Sequence, residues 1–212
     1  TKLDDTIALH QRQLDNYKEL KKVMLQKVFN QKLRFKDDNG NDYPEWESVT
    51  LNKICYIKTG NMNVQDSVVE GQYTFFDRSE TIKKLDTYSY DEEAIIYPGE
   101  GSSFYPKYFK GKYALHQRAY SLSDFKEGCS TKYVYHYLNT KNNHFIRTCV
   151  GTTVRSLRMK SFETCEVYLP SYLEQQKIAD FLDTMDNQIN QISKKVERLR
   201  EEKKGLLQQM FV

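Results

Sequence analysis

The sequence predicts an α+β protein: an irregular mixed α/β domain plus two long helices that form an antiparallel two-helix coiled coil. Three observations predict it. The two ends of the 212-residue chain repeat one another. Apolar residues at both ends recur at spacings of three and four, and the middle breaks into short segments rich in β-branched and aromatic residues.

The repeat is seen first in KKVMLQKVF (Lys21–Phe29) and KKGLLQQMF (Lys203–Phe211). At an offset of 182, Thr1–Phe29 aligns with Asp183–Phe211. Identical pairs are Asp4/Asp186, Ile7/Ile189, Glu19/Glu201, Lys21/Lys203, Lys22/Lys204, Leu25/Leu207, Gln26/Gln208 and Phe29/Phe211. The first copy carries apolar residues at Leu3, Ile7, Leu14, Tyr17, Met24 and Val28. The second carries them at Met185, Ile189, Ile192, Val196, Leu199, Leu206 and Met210. Two apolar side chains per heptad make a coiled-coil seam. Lys21 and Lys203 interrupt it at equivalent places, and His10 stands opposite Ile192. Such a lysine either fixes register at some loss of packing or lays its stem along the edge and snorkels. The first helix runs towards the middle of the chain and the second away from it. Paired within one molecule they are antiparallel, a stalk of about 27 residues per helix and, at roughly 1.5 Å each, near 40 Å long. Two helices bury only a thin seam, so an oligomer formed by docking of a second stalk is expected.

The segments between follow in order. Residues 30–46 are a linker, since NQKLRFKDDNGNDYPEW holds Asn-Gly and Asp-Tyr-Pro and few periodic apolar residues. Trp46, the only tryptophan, plugs an edge of the core of the domain spanning 47–170. TLNKICYIKTG reads as a turn running into a strand stopped by Gly60. GQYTFFD, EEAIIYPGEG, KYALHQRAYSL and FETCEVYLP read as strands. STKYVYHYLNTKNNHFIRTCV reads as one helix with Ser130 as N-cap, and a short helix begins at Ser161. Pro170 punctuates the exit, and residues 171–212 hold the second long helix, from Leu173. The opening TKLDDTIALHQRQL is already in helical pattern, as in a fragment of something longer.

Composition excludes several classes. Apolar residues are 39% and charged residues 29% of the chain, and no run approaches the length of a membrane span. No apolar leader is visible. Cys55, Cys129, Cys149 and Cys165 lack zinc-type spacing and read as reduced thiols of a cytoplasmic protein. No metal site is expected, because His136 and His144 have too few ligating neighbours. No catalytic residue or cofactor is expected either. PGEGSS is an incomplete phosphate loop, better read as a close backbone turn, and His116 lacks a partner at a suggestive spacing. A methyltransferase's glycine-rich loop and a nuclease's carboxylate spacing are both missing.

Binding is better supported. The net charge is only +3, but Asn61–Pro98 holds three Lys/Arg against eight Asp/Glu, and Gly99–Lys160 eleven against three. Either the surface is polarised towards an anionic partner or folding interleaves the blocks. In HQR, Gln117 and Arg118 suit bidentate contacts with adenine and guanine edges. On a strand, His116 and Arg118 share one face, and Gln117 is then either a reader or a buried structural amide. In GTTVRSLRMK, Thr152, Thr153, Arg155 and Arg158 offer hydroxyls and cations to phosphates, or form a solvated loop. Arg78, Lys83 and Lys84 carry the positive charge of the acidic block and, with Ser79, either rim the same groove or stay solvated. Tyr105 and Lys107 fit core packing and DNA contact equally.

These residues resemble a known family. YLPSYLEQQKIADFLDTMDNQI with LREEKKGLLQQMF resembles the C-terminal conserved region of specificity subunits of type I restriction–modification systems. LDDTIALHQRQLDNYKELKKVMLQKVF is similar to their central conserved helix, residues 1–29 here. YPEWESVTLNKICYIKTG and GTTVRSLRMKSFETCEVYLP look like the entrance and exit of a target-recognition domain. The resemblance covers the whole chain, specific at its ends and loose from about Asn61 to Asn143. It implies a non-catalytic subunit in which two recognition domains each read half of a split double-stranded DNA site, with paired helices as a ruler. It also implies partners: the adenine methyltransferase (modification) subunit, which carries S-adenosylmethionine, and the translocating endonuclease (restriction) subunit. This chain departs from the pattern in holding one recognition domain and in lacking a proline before its first helix. The resemblance therefore implies a C-terminal half, able to restore twofold symmetry as a homodimer. The alternative is a coiled-coil adaptor that binds protein and no nucleic acid.

Overall fold

The computed structural model describes residues 2–78 and 81–210. Its elements, in chain order, are α1 (Lys2–Phe29), β1 (Glu47–Thr50), α2 (Leu51–Ile54), β2 (Tyr56–Thr59), β3 (Tyr73–Phe76), β4 (Lys83–Leu85), β5 (Tyr90–Pro98), β6 (Lys107–Leu115), β7 (Ala119–Ser123), α3 (Thr131–Leu138), α4 (Asn142–Thr148), α5 (Met159–Glu163), β8 (Glu166–Leu169) and α6 (Tyr172–Met210). They form two compact units, one from Thr1–Arg34 with Ile178–Val212 and the other from Phe35–Lys177.

The first unit is the antiparallel helix pair. Leu14, Val28, Leu182, Met185 and Val196 are buried, and Ile7, Met24, Ile189, Ile192 and Leu199 are half-buried, so the heptad seam faces inward. Polar contacts fix direction and register: Lys21 with Asp186, Arg200 Nη2 to Gln11 Oε1 at 2.9 Å, and Lys203 Nζ to Asp4 at 2.5 Å. Small numbers on α1 meet large ones on α6, as antiparallel pairing requires. The seam lysines thus make interhelical ion pairs and are not merely snorkelling stems. Adding the repeat offset to Asp4 and Lys21 gives Asp186 and Lys203, so the two ion pairs are symmetry equivalents within one chain. Two seam residues depart from expectation: Tyr17 is 37% and Leu206 49% exposed. The side chain of Met210 lies outside the described residues.

In the second unit, a six-stranded sheet has the order β2-β7-β5-β6-β3-β4, antiparallel except where β3 runs parallel to β6. A separate antiparallel pair, β1 with β8, joins the two ends of the domain. Ala94–Tyr97 of β5 are buried without a break, as in a strand covered on both faces. One face packs Phe76, Ala94, Ile96, Tyr113, Leu115 and Ala119, and neighbouring positions Phe75, Ala114 and Leu85 pack on the other. Tyr97, Phe145, Phe162 and Tyr120 stack at centroid distances of 4.7–5.4 Å, which holds α4 and α5 to the sheet. Trp46 is buried, donates to Glu174 Oε2 at 3.1 Å and meets the Tyr133 ring edge-on. Gln175 accepts from Ser130 N and donates to the carbonyls of Gly128 and Pro170. The Glu-Gln of YLEQQ therefore ties the first turn of α6 into this unit.

Several sequence expectations need correction. STKYVYHYLNTKNNHFIRTCV forms two helices, since the chain turns at Asn139–Lys141, where Asn139 and Thr140 side chains cap carbonyls of the preceding turn. Ser130 does cap the first, accepting from Tyr133 N. The helix expected at Ser161 starts at Met159, and the long helix starts at Tyr172. KYALHQRAYSL is not one strand: β6 ends at Leu115, Gln117–Arg118 turn, and β7 starts at Ala119 on the far side of β5. The charge blocks are interleaved and do not polarise the domain. Asp91 and Glu93 of β5 sit in register opposite Lys112 and Lys110 of β6, and Lys58 Nζ reaches Glu92 at 2.8 Å.

Candidate nucleic-acid interface

Four loops meet beyond the end of β5. The chain leaves β5 through Gly99 and Glu100, and the exit is tight: a Cβ on Gly99 would stand 1.7 Å from the Arg118 carbonyl oxygen. Only glycine allows that approach. On the other side, Leu157 N donates to Gly99 O at 2.8 Å and Gly101 N to Arg155 O at 3.1 Å. The 150–156 loop is closed by reciprocal bonds between Val150 and Ser156, with Gly151 at φ +92°. PGEGSS is thus the close backbone turn that its glycines suggest. It joins the HQR turn to the GTTVRSLR loop.

The HQR turn is organised from beneath. His116 is 6% exposed; its Nδ1 accepts from Arg118 N at 3.0 Å, and its main chain bonds to Phe76 O and Gly60 N. Burial lowers the affinity of the ring for a proton; Asp77 and Glu100 oppose that shift, and Arg78 and Arg118 add to it. A neutral imidazole suits a ring whose Nδ1 must accept. His116 therefore shapes the turn and shows no face to solvent in common with Arg118. Gln117 is exposed and donates to Asn63 Oδ1 at 2.9 Å, so it is not a buried structural amide. Asn63 gave no signal in sequence, because nothing in QDSVVE or MNV predicts that this loop reaches the HQR turn.

Glu100 gathers the charge. Its Oε2 accepts from Arg78 Nη1 at 3.0 Å and its Oε1 from Arg118 Nη1 at 2.8 Å. Burial pushes this carboxyl up, but the hydrogen bonds from Arg118 and Arg78 outweigh it and hold the carboxyl below its ordinary range. Both arginines stay more than half exposed. A cleft of about 270 Å³ lies here, lined by Gly99, Glu100, Gln117, Arg118, Tyr120, Ser156, Leu157 and Arg158. Thr152, Thr153, Arg155 and Arg158 are exposed on the adjoining loop.

The remaining predicted residues lie differently. Lys83 is paired with buried Asp77 at 2.5 Å, which neutralises its charge. Lys84 is exposed on β4, and Tyr105 is 53% exposed. Lys107 opens β6, half-buried beside Ile96. Ser79 lies outside the described residues. All four cysteines are free thiols, and burial pushes Cys55 and Cys165 up to about 12. No helix among the described residues is long and apolar enough to cross a membrane.

Residues 43–199 match the family described as the type I restriction modification DNA specificity domain, and the chain belongs to that family. It is 27% identical over 155 residues to the type I restriction enzyme EcoDI specificity subunit of Escherichia coli, covering 73% of this chain and 34% of that one. It is 28% identical over 189 residues to the MjaVIII specificity subunit of Methanocaldococcus jannaschii, covering 84% and 44%. The chain therefore spans less than half the length of these curated relatives. The crystal structure of a type I restriction–modification S subunit from M. genitalium superposes with a TM-score of 0.70 at 14% identity, over 97% of this chain and 59% of that one. That likeness confirms the α+β fold with its long paired helices.

Proposed function

We propose that this chain reads one half of a bipartite double-stranded DNA site and docks a methyltransferase subunit that performs the chemistry. Bounds of 47–170 for the reading domain, and of 1–29 and 171–212 for the conserved helices, are part of this reading. The observation that carries it is the convergence of Gln117, Arg118 and Arg158 on one polar cleft, with Arg78 joined to the Glu100 that lines it, from segments scattered over eighty residues of a DNA specificity domain. Arg118, Arg78 and Gln117 present donors suited to base edges. Thr152, Thr153, Arg155 and Arg158 face phosphates, with Lys84, Tyr105 and Lys107 at the margin. Lys83 and His116 act on the shape of the site, through Asp77 and the turn. The chain itself neither cuts nor methylates, and it works in the cytoplasm with modification and restriction subunits, as one half or as a homodimer.

Methylome sequencing of cells expressing the chain with its modification subunit tests this. A new methylated-adenine motif, split by an unread spacer and relaxed or lost with Arg118→Ala, is the expected result. An unchanged methylome, together with no salt-sensitive duplex binding in gel shifts, would establish the protein-binding adaptor instead.

A further inference from the structure

We infer that Glu100 is a specificity-determining positioning residue: its carboxylate aims the Arg78 and Arg118 guanidiniums at guanine edges while its charge discourages phosphate. This rests on the DNA-reading function proposed above and goes beyond it in naming a residue and a base. Each arginine gives Glu100 one Nη1 proton, at 3.0 and 2.8 Å, and each carboxylate oxygen serves one arginine. A guanidinium has five N–H donors in a rigid fork. Donation through Nη1 leaves the Nε and Nη2 edge of each fork, and that parallel pair matches the N7 and O6 acceptors of guanine.

Glu100 is itself held. Its side chain is 13% exposed, and its backbone bridges to Ser156 beside the Gly101–Arg155 hydrogen bond. Hydrogen bonds from both arginines keep it ionised against the cost of burial. Two guanidiniums and one carboxylate sum to a single positive charge. The cluster therefore attracts the backbone less than two free arginines do, and a tethered fork has fewer orientations to lose on meeting a base.

The test uses the full chain and the duplex it prefers from a random pool, with each guanine of the recovered half-site replaced in turn by 7-deazaguanine, which lacks N7. The parent is expected to lose about tenfold or more in affinity at one or two guanines. Glu100→Gln leaves one acceptor oxygen and an amide that cannot accept. It should lower the preferred-to-scrambled affinity ratio about tenfold and steepen the log K against log salt slope by about one unit. Arg78→Lys and Arg118→Lys keep charge but lose the fork. Each should abolish sensitivity at one 7-deazaguanine position and leave the salt slope unchanged. Insensitivity of the parent at every guanine, or a Glu100→Gln ratio equal to the parent's in protein of unchanged melting temperature, would overturn the inference and leave DNA reading intact. Absence of any sequence preference in the parent would overturn both.

Discussion

Arg118 is placed by its backbone before its side chain is used. Its N–H is fixed on His116 Nδ1, its carbonyl is packed against Gly99, and its guanidinium is anchored on Glu100. Arg118→Ala should cost 10- to 100-fold in discrimination at one position of the site, about 1–3 kcal/mol, with circular dichroism unchanged. Arg155 has an exposed side chain on the loop next to the cleft. Arg155→Ala should weaken all duplexes alike and flatten the salt slope by about one unit in a titration series. His116 sets a pH dependence. Its folded-state proton affinity lies below the ordinary value of 6.5, so the unfolded chain takes the proton first. The stability it contributes is complete above pH 6.5 and is lost as pH falls through the folded value. His116→Asn, which keeps an acceptor for Arg118 N, should flatten that acid slope in melting experiments. At this scale the sequence singled out Arg118, Gln117 and Arg158 by residue type, and the structure places all three at one cleft. It did not single out Glu100 or Asn63, which meet those side chains through hydrogen bonds from residues about twenty and fifty positions away.

At the scale of elements, the helices were legible and the hairpin-like segments were not. The repeat preserved Asp4/Asp186 and Lys21/Lys203 together, and the structure shows why, since each aspartate meets the lysine of the other copy. The two pairs differ in burial: side-chain exposures are 16% and 31% for Lys21 and Asp186, against 42% and 43% for Lys203 and Asp4. Lys21→Ala should therefore cost about 1 kcal/mol in chemical denaturation and Lys203→Ala less than about 0.5. The charge swap Lys21→Asp with Asp186→Lys should recover most of the loss of either single change. KYALHQRAYSL misled because a two-residue turn between apolar stretches leaves the alternating pattern unbroken, whereas β6 and β7 flank β5 and never pair. The break at Asn139–Lys141 was missed for a similar reason, since apolar spacing continues across it.

For the whole molecule, the fold class followed from the two ends, where helical period and repeat carry long-range information, and the family from the resemblance of those ends and of the domain's entrance and exit segments. The middle carried little, because sheet order β2-β7-β5-β6-β3-β4 depends on pairings between distant segments. Of the two readings of the charge blocks, interleaving holds, and for the same reason: strands from the acidic and basic blocks lie side by side. Exposed arginines gather instead on a set of loops, and these carry the central claim that this chain selects a DNA sequence. Repeated selection of duplexes from a fully random pool, at physiological salt and with the Arg78→Ala/Arg118→Ala double variant in parallel, measures that claim most directly. The account predicts that the parent enriches one guanine-containing half-site, single or as a spaced inverted repeat, and that the double variant enriches none. A parent pool that stays random, or a motif that survives both substitutions, would contradict it.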